Sequence, residues 1–100
     1  MKKYILTDTK KELSGVTLYQ IKAIRSFGEV KEGDLGGWIE KEENLSHDGF
    51  AWIHNDAHVY GNAKVYGNAQ VFGNAWVFGN AQVSGDSRIE SSEHIFWASY

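Results

Sequence analysis

From Val59 onward a branched aliphatic residue returns at every sixth position: Val59, Val65, Val71, Val77, Val83, Ile89 and Ile95. The intervening sequence reads VYGNAK, VYGNAQ, VFGNAW, VFGNAQ and VSGDSR, flanked by the degenerate copies IHNDAH from Ile53 and IESSEH from Ile89. A strict period of six is the signature of a repeat architecture rather than of a helix stripe or a long alternating strand. The aliphatic in slot one favours extended backbone and points inward. Ala or Ser in slot five (Ala63, Ala69, Ala75, Ala81, Ser87) suits a cramped inner corner. Gly in slot three and Asn or Asp in slot four tolerate the positive φ that a sharp turn demands. Asn62, Asn68, Asn74, Asn80 and Asp86 are therefore expected as structural corners, their side chains bridging neighbouring coils. Three such units make an 18-residue triangular coil, and coils stack at a strand spacing of about 4.8 Å. A meander of hairpins competes, because Gly-Asn is also a hairpin turn signal, but the four residues between Asn62 and Gly67 are too short for hairpin strands.

Upstream the period loosens. Leu45 stands eight residues before Ile53 and Ile39 six before Leu45, which predicts one coil interrupted by a two-residue bulge. Residues 3 to 7 and 16 to 25 read as two strands around the polar turn KKELSG, closed by Gly15. A helical turn over LYQIKAI is the alternative, since Leu18, Ile21 and Ile24 share a three-residue spacing. Either form is expected to cap the first coil and protect its strand edges. The expected organisation is a single folding unit: an N-terminal hairpin cap with a Gly-rich lead-in over 1–38, a coil body of about three coils over 39–95, and an apolar tail over 96–100.

The VYGNA-type units resemble the hexapeptide-repeat family of left-handed parallel β-helix proteins, which includes many acyltransferases. The resemblance is strong across 53 to 95 and fades before 39. The string GDLGGWIEKEENLSHDGFAWI ahead of the repeats is similar to that of short bacterial and phage hexapeptide proteins, some labelled acetyltransferases. The fold implied is all-β, a left-handed parallel β-helix with an N-terminal β-hairpin cap. Such a fold does not by itself assign chemistry.

Sorting residues 18 apart into columns makes the outer faces unequal. One face carries His58, Trp76 and His94 beside Tyr60, Phe78 and Phe96; these six are the expected interface or binding residues. The second carries Lys64 and Gln82 beside Tyr66 and Ser84, and the third Trp52, Gln70 and Arg88 beside His54, Phe72 and Glu90. Only the first reads as aromatic along its length. A soluble monomer rarely leaves such a patch bare. It is expected to be covered by the hairpin or the IFWASY tail, or to join copies of the chain as a dimer or trimer; a ligand groove is a third possibility.

Composition narrows the function classes. With 100 residues the chain builds one core and buries a modest share of its surface, which favours association. A net charge of −3 offers no basic footprint, so nucleic acid is not expected as a partner. The absence of cysteine removes disulfides and thiolate metal sites. The N-terminus MKKYILTD turns polar after three apolar residues, which fits neither a signal peptide nor a membrane span and predicts a cytoplasmic protein, or host-cytoplasmic if phage-encoded.

Four histidines raise metal and base chemistry. His58 and His94 lie two coils apart, roughly 9.6 Å, too far for one zinc ion that holds each nitrogen at about 2.0–2.1 Å. A site shared between subunits through His54, His58 or His94 is the metal alternative, and no metal is expected within one chain. An acyltransferase of the family resembled would need a general-base histidine beside an inter-subunit cleft framed by a loop. The run from Ile53 to Ile95 is unbroken and too short to cradle acyl-CoA, so no catalytic residue and no cofactor are expected. EGDLGGW, residues 32 to 38, lacks the lysine and hydroxyl pair of a phosphate loop. Chain reversal accounts for its glycines, with Asp34 capping the turn, while KEGD and EKEEN read as solvated edges. Threonines occur only at 7, 9 and 17, outside the repeat, which excludes a threonine ladder for ice.

The leading expectation is a non-enzymatic, self-associating β-helical module that presents its aromatic face to a partner, which can be its own copy. The resemblance to phage proteins implies as an alternative a viral inhibitor of host defence, acting on a host protein or sequestering a nucleotide signal. A second alternative is an acetyltransferase-like enzyme using CoA.

Overall fold

A computed structural model describes residues 2–90 together with 94 and 95. Among these residues there are eleven strands, one 3₁₀ turn and no α-helix. β1 (Tyr4–Leu13) and β2 (Val16–Ala23) form an antiparallel hairpin, and β2 pairs antiparallel with β3 (Leu35–Ile39). After the 3₁₀ turn Glu42–Asn44 come eight two-residue strands: β4 (Trp52–Ile53), β5 (His58–Val59), β6 (Lys64–Val65), β7 (Gln70–Val71), β8 (Trp76–Val77), β9 (Gln82–Val83), β10 (Arg88–Ile89) and β11 (His94–Ile95).

These short strands pair in parallel with partners one coil away. His58 lies opposite Trp76 and Trp76 opposite His94; Trp52 lies opposite Gln70 and Gln70 opposite Arg88; Lys64 lies opposite Gln82. Successive strands fall into three ladders in fixed rotation, and the chain returns to each ladder after 18 residues. N–H groups at alternate positions tie the coils together: Lys64 to Ala81 at 3.0 Å, Tyr66 to Val83 at 2.9 Å, Asn68 to Gly85 at 2.8 Å and Gln70 to Ser87 at 2.9 Å. The six-residue period sets this rotation. The slot-one aliphatics Ile53, Val59, Val65, Val71, Val77, Val83 and Ile89 are all buried, with Ala63, Ala69, Ala75 and Ala81 at the inner corners.

The irregular first coil also follows the sequence reading. Trp38 pairs with His58 and Leu45 with Val65, each twenty residues apart, whereas Trp52 and Gln70 are eighteen apart. The two extra residues therefore lie between Leu45 and Trp52. There Gly49, at φ 69°, presses so close to Gly67 that an added Cβ would sit 2.3 Å from the Gly67 carbonyl oxygen.

Several details differ from expectation. Positive φ at the corners belongs to slot three alone: Gly61, Gly67, Gly73, Gly79 and Gly85 lie between 61° and 68°. The slot-four residues Asn62, Asn68, Asn74, Asn80 and Asp86 are not among the positive-φ positions. In IHNDAH slot three is occupied by Asn55, which takes φ 56° in place of glycine. The stretch read as a polar turn before Gly15 is strand through Leu13, and the turn itself is Ser14-Gly15, with φ 50° and 86°. Positive φ at both central residues matches the right-handed twist of a hairpin, so a two-residue loop replaces the longer one. LYQIKAI is strand through Ala23, because its backbone is claimed by neighbours on both sides.

The glycines of EGDLGGW divide. Gly33, at φ 95°, makes the chain reversal, which Asp34 caps by accepting the Lys31 N–H at 2.9 Å. Gly36 and Gly37 lie inside β3, where the core leaves no room. A Cβ on Gly37 would meet Ile53 Cγ2 at 2.5 Å and the Ala57 carbonyl oxygen at 2.6 Å. EKEEN is not wholly solvated either. Asn44 is fully buried; its Oδ1 accepts from the N–H groups of Glu40 and Lys41, and its Nδ2 donates to the Gly61 and Ala63 carbonyls. One amide thus satisfies four groups and pins the first corner to the next coil.

Candidate functional site

The outward slots of β3, β5 and β8 form the first face. Trp38, His58 and Trp76 occupy successive rungs, and the His58 and Trp76 rings lie 5.5 Å apart at 54°. In the next column Tyr60 and Phe78 stack at 5.1 Å and 6°, with Trp76 edge-on to Tyr60 at 6.4 Å. Offset and edge-on ring pairs of this kind add to plain burial. Tyr60, Trp76 and Phe78 keep part of their surface in solvent. Four of the six predicted interface residues are thus brought together. His94 joins the ladder opposite Trp76 through its backbone; Phe96 and the tail over 96–100 lie outside the described residues.

His58 is the exception on this face, being 7% exposed. Burial, and secondly the Lys11 ammonium, push its pKa down to about 4, with the Asp56 backbone and carboxylate pulling weakly the other way. Lys11 reaches the face from the hairpin, its Nζ 4.3 Å from the centre of the Trp38 ring. The hairpin extends the first-face sheet edgewise, beside Trp38 at one end of the aromatic column.

The other histidines are fixed by their partners. The Lys3 N–H donates to His47 Nδ1 at 3.1 Å, so Nε2 carries the proton and donates to Glu42 Oε2 at 3.1 Å. Both nitrogens are engaged, and the ring stacks on Tyr4 at 4.1 Å. The Glu42 carboxyl is held below its ordinary pKa by Lys2, at 2.9 Å, and then by His47. His54 follows from Gln70. The Gln70 amide nitrogen donates to the Phe50 carbonyl at 2.8 Å and the Asn68 carbonyl at 3.1 Å, which turns Oε1 toward His54 Nε2 at 2.7 Å. His54 therefore donates from Nε2 and keeps a lone pair on Nδ1. Burial lowers its pKa, partly offset by the Gln70 bond.

The third face differs most from expectation. Trp52, read as an outward residue, is 2% exposed, covered edge-on by Phe27 at 5.3 Å and by Tyr4 at 6.3 Å. The face is also more aromatic than its sequence column suggested. His54 stacks on Phe72 at 4.3 Å and 13°, and the Arg88 guanidinium lies 4.6 Å from the Phe72 centroid. With Phe50 and residues 28 to 30 these side chains line a cleft of about 460 Å³. No local signal marks this cleft, because two of its walls come from outside the repeat.

Among the described residues, two corner asparagines bridge coils. Asn68 Oδ1 accepts from the Phe50 N–H at 3.2 Å while its Nδ2 reaches Asp86 Oδ1 at 3.4 Å, and Asn62 Oδ1 accepts from Lys41 Nζ at 3.4 Å. Among the described residues no group of three or more His, Cys, Asp or Glu side chains is placed to hold a metal ion. No helix among them is long and apolar enough to cross a membrane.

This is an all-β chain with parallel ladders repeating every 18 residues. No protein-family model matches it. It is similar to the uncharacterized acetyltransferase YdcK of Escherichia coli strain K12, 36% identical over 63 residues. That alignment covers 55% of this chain and 19% of the relative, so the chain spans about a fifth of that protein's length.

Proposed function

We propose that this chain is a left-handed parallel β-helical binding module that associates with its own copies through the first face and carries out no catalysis. The fixed rotation of three parallel ladders together with the VYGNA-type units supports the β-helix. The observation that carries the function is the Tyr60–Phe78 stack with Trp76 against its edge. These rings are pre-ordered by one another and partly exposed, so they lose little conformational freedom on meeting a partner. Sedimentation equilibrium tests the reading. A dimer or trimer is expected, and the double variant Tyr60→Ser/Phe78→Ser should run as a monomer with an unchanged circular dichroism spectrum. A wild-type chain that stays monomeric at every concentration removes the proposal.

The similarity to a protein named an acetyltransferase favours a second reading, acetyl transfer from acetyl-CoA. Of the three histidines whose side chains are described, His54 combines an open lone pair with a position in a cleft. A direct assay of CoA release with small hydroxyl and amine acceptors decides between the two: turnover lost in His54→Gln supports the enzyme, and no turnover above background leaves the module.

A further inference from the structure

The third-face cleft carries an inference independent of self-association. Phe50 is 53% exposed, yet its backbone is fixed: its N–H lies 3.1 Å from the Gly67 carbonyl oxygen and 3.2 Å from Asn68 Oδ1. Gly28 packs against this ring from the opposite wall, where an added Cβ would lie 3.6 Å from Phe50 Cβ and Cγ. The cleft, at about 460 Å³, is of ligand size, and the Phe50 ring gives it an apolar wall.

The unspent hydrogen-bonding groups define what the cleft takes. Gln70 has used both amide hydrogens, and Asn68 has used one on Asp86. Arg88 leans on Phe72 and reaches Glu90 at 3.5 Å. Arg88 keeps further guanidinium N–H groups, but its charge is already paired with Glu90; the other groups that remain are acceptors, the carboxylates of Glu29 and Asp86 and the lone pair of His54 Nδ1. Two carboxylates stand against one guanidinium in the lining, so the local charge is negative. An anion would meet one guanidinium, already paired with Glu90, against two carboxylates, and a neutral polyol would leave that negative charge unmet. A cation supplies donors only and also suits an aromatic wall. Arg88 shows the preference within the chain, since its guanidinium already rests on Phe72.

We propose that this cleft binds a small organic cation, a guanidinium or primary amine, whose charge is met by Glu29 and Asp86 and whose carbon chain lies against Phe50. Titration with agmatine, followed by ¹H–¹⁵N correlation spectra, tests it. Saturable shifts are expected at the amides of Phe50, Asn68 and Asp86, with a dissociation constant of about 1 mM or tighter. The double variant Glu29→Gln/Asp86→Asn should weaken binding at least about fivefold without lowering the melting temperature. Asparagine at 86 restores the residue found in the preceding repeats, so the fold is kept. Equal shifts from glucose or acetate, undiminished binding in the double variant, or no shifts up to about 50 mM agmatine overturn the proposal.

Discussion

Asn55 and Asn62 are both repeat asparagines, yet they face different constraints. Asn55 takes slot three with φ 56°, a region that L residues other than Asn and Asp visit at a cost of about 1–2 kcal/mol. Asn62 takes slot four, outside that region, and its side chain accepts a 3.4 Å bond at the surface from Lys41 Nζ. Asn55→Val is therefore expected to lower the urea unfolding free energy by about 1–2 kcal/mol. Asn62→Val should stay within about 0.5 kcal/mol of the wild type. The sequence puts turn-forming residues in both slots and does not say which of the two bends the chain. That is decided by where the corner meets the coil beneath, as at Gly61, where a Cβ would lie 3.1 Å from the Gly79 nitrogen.

At the scale of an element, β3 joins two kinds of structure. It pairs antiparallel with the hairpin on one side and parallel with β5 on the other. Its glycines serve neither pairing directly. They let the strand lie directly on Ile53 and Ala57, and a methyl group at Gly37 would overlap both. Gly37→Ala is expected to cost about 1–3 kcal/mol or more, as overpacking of a filled core does, read as a lower denaturation midpoint with an unchanged slope. The glycine run was legible as unusual. Its cause was not, because a turn and a close approach ask for the same residue, and only the neighbours distinguish them. The hairpin itself was legible as two strands, while the length of β1 depended on partners across the turn.

The whole molecule is held together where the hairpin closes over the first coil. Tyr4 and Phe27 seal Trp52, and the Tyr4 hydroxyl lies 2.5 Å from the Leu45 carbonyl oxygen. Lys3 is entirely buried, with its Nζ 2.7 Å from the Ala51 carbonyl oxygen, 3.2 Å from that of Gly49 and 4.5 Å from the Phe27 ring centre. Burial, then the Arg25 charge, lowers its pKa from 10.5 to about 8, with Asp48 acting the other way. Between those values the unfolded chain holds a proton that the folded chain has released, so stability rises with pH across the window. The full shift corresponds to on the order of 3 kcal/mol. Burial raises the Tyr4 pKa and works in the opposite sense above about pH 10. The melting temperature is therefore expected to climb from pH 8 toward pH 10, and Lys3→Met should remove that slope. A profile unchanged by the substitution would place the titrating group elsewhere.

The sequence alone determined the repeating part of this protein. Slot-one aliphatics, slot-five alanines and slot-three glycines recur every six residues, and each coil buries the next, so local pattern and long-range packing ask for the same residues. The two-residue bulge before Ile53 was readable for the same reason, as a lapse in a strict count. The tertiary structure decided what non-repeating segments do to the repeat. Trp52 became core because Tyr4 and Phe27 reach it, Asn44 became a buried staple because a second coil lies beneath it, and the His54–Phe72–Arg88 stack became one side of a cleft because Phe50 and residues 28 to 30 supply the other. A column of residues 18 apart shows which side chains share a face; only the folded chain shows which of them are covered.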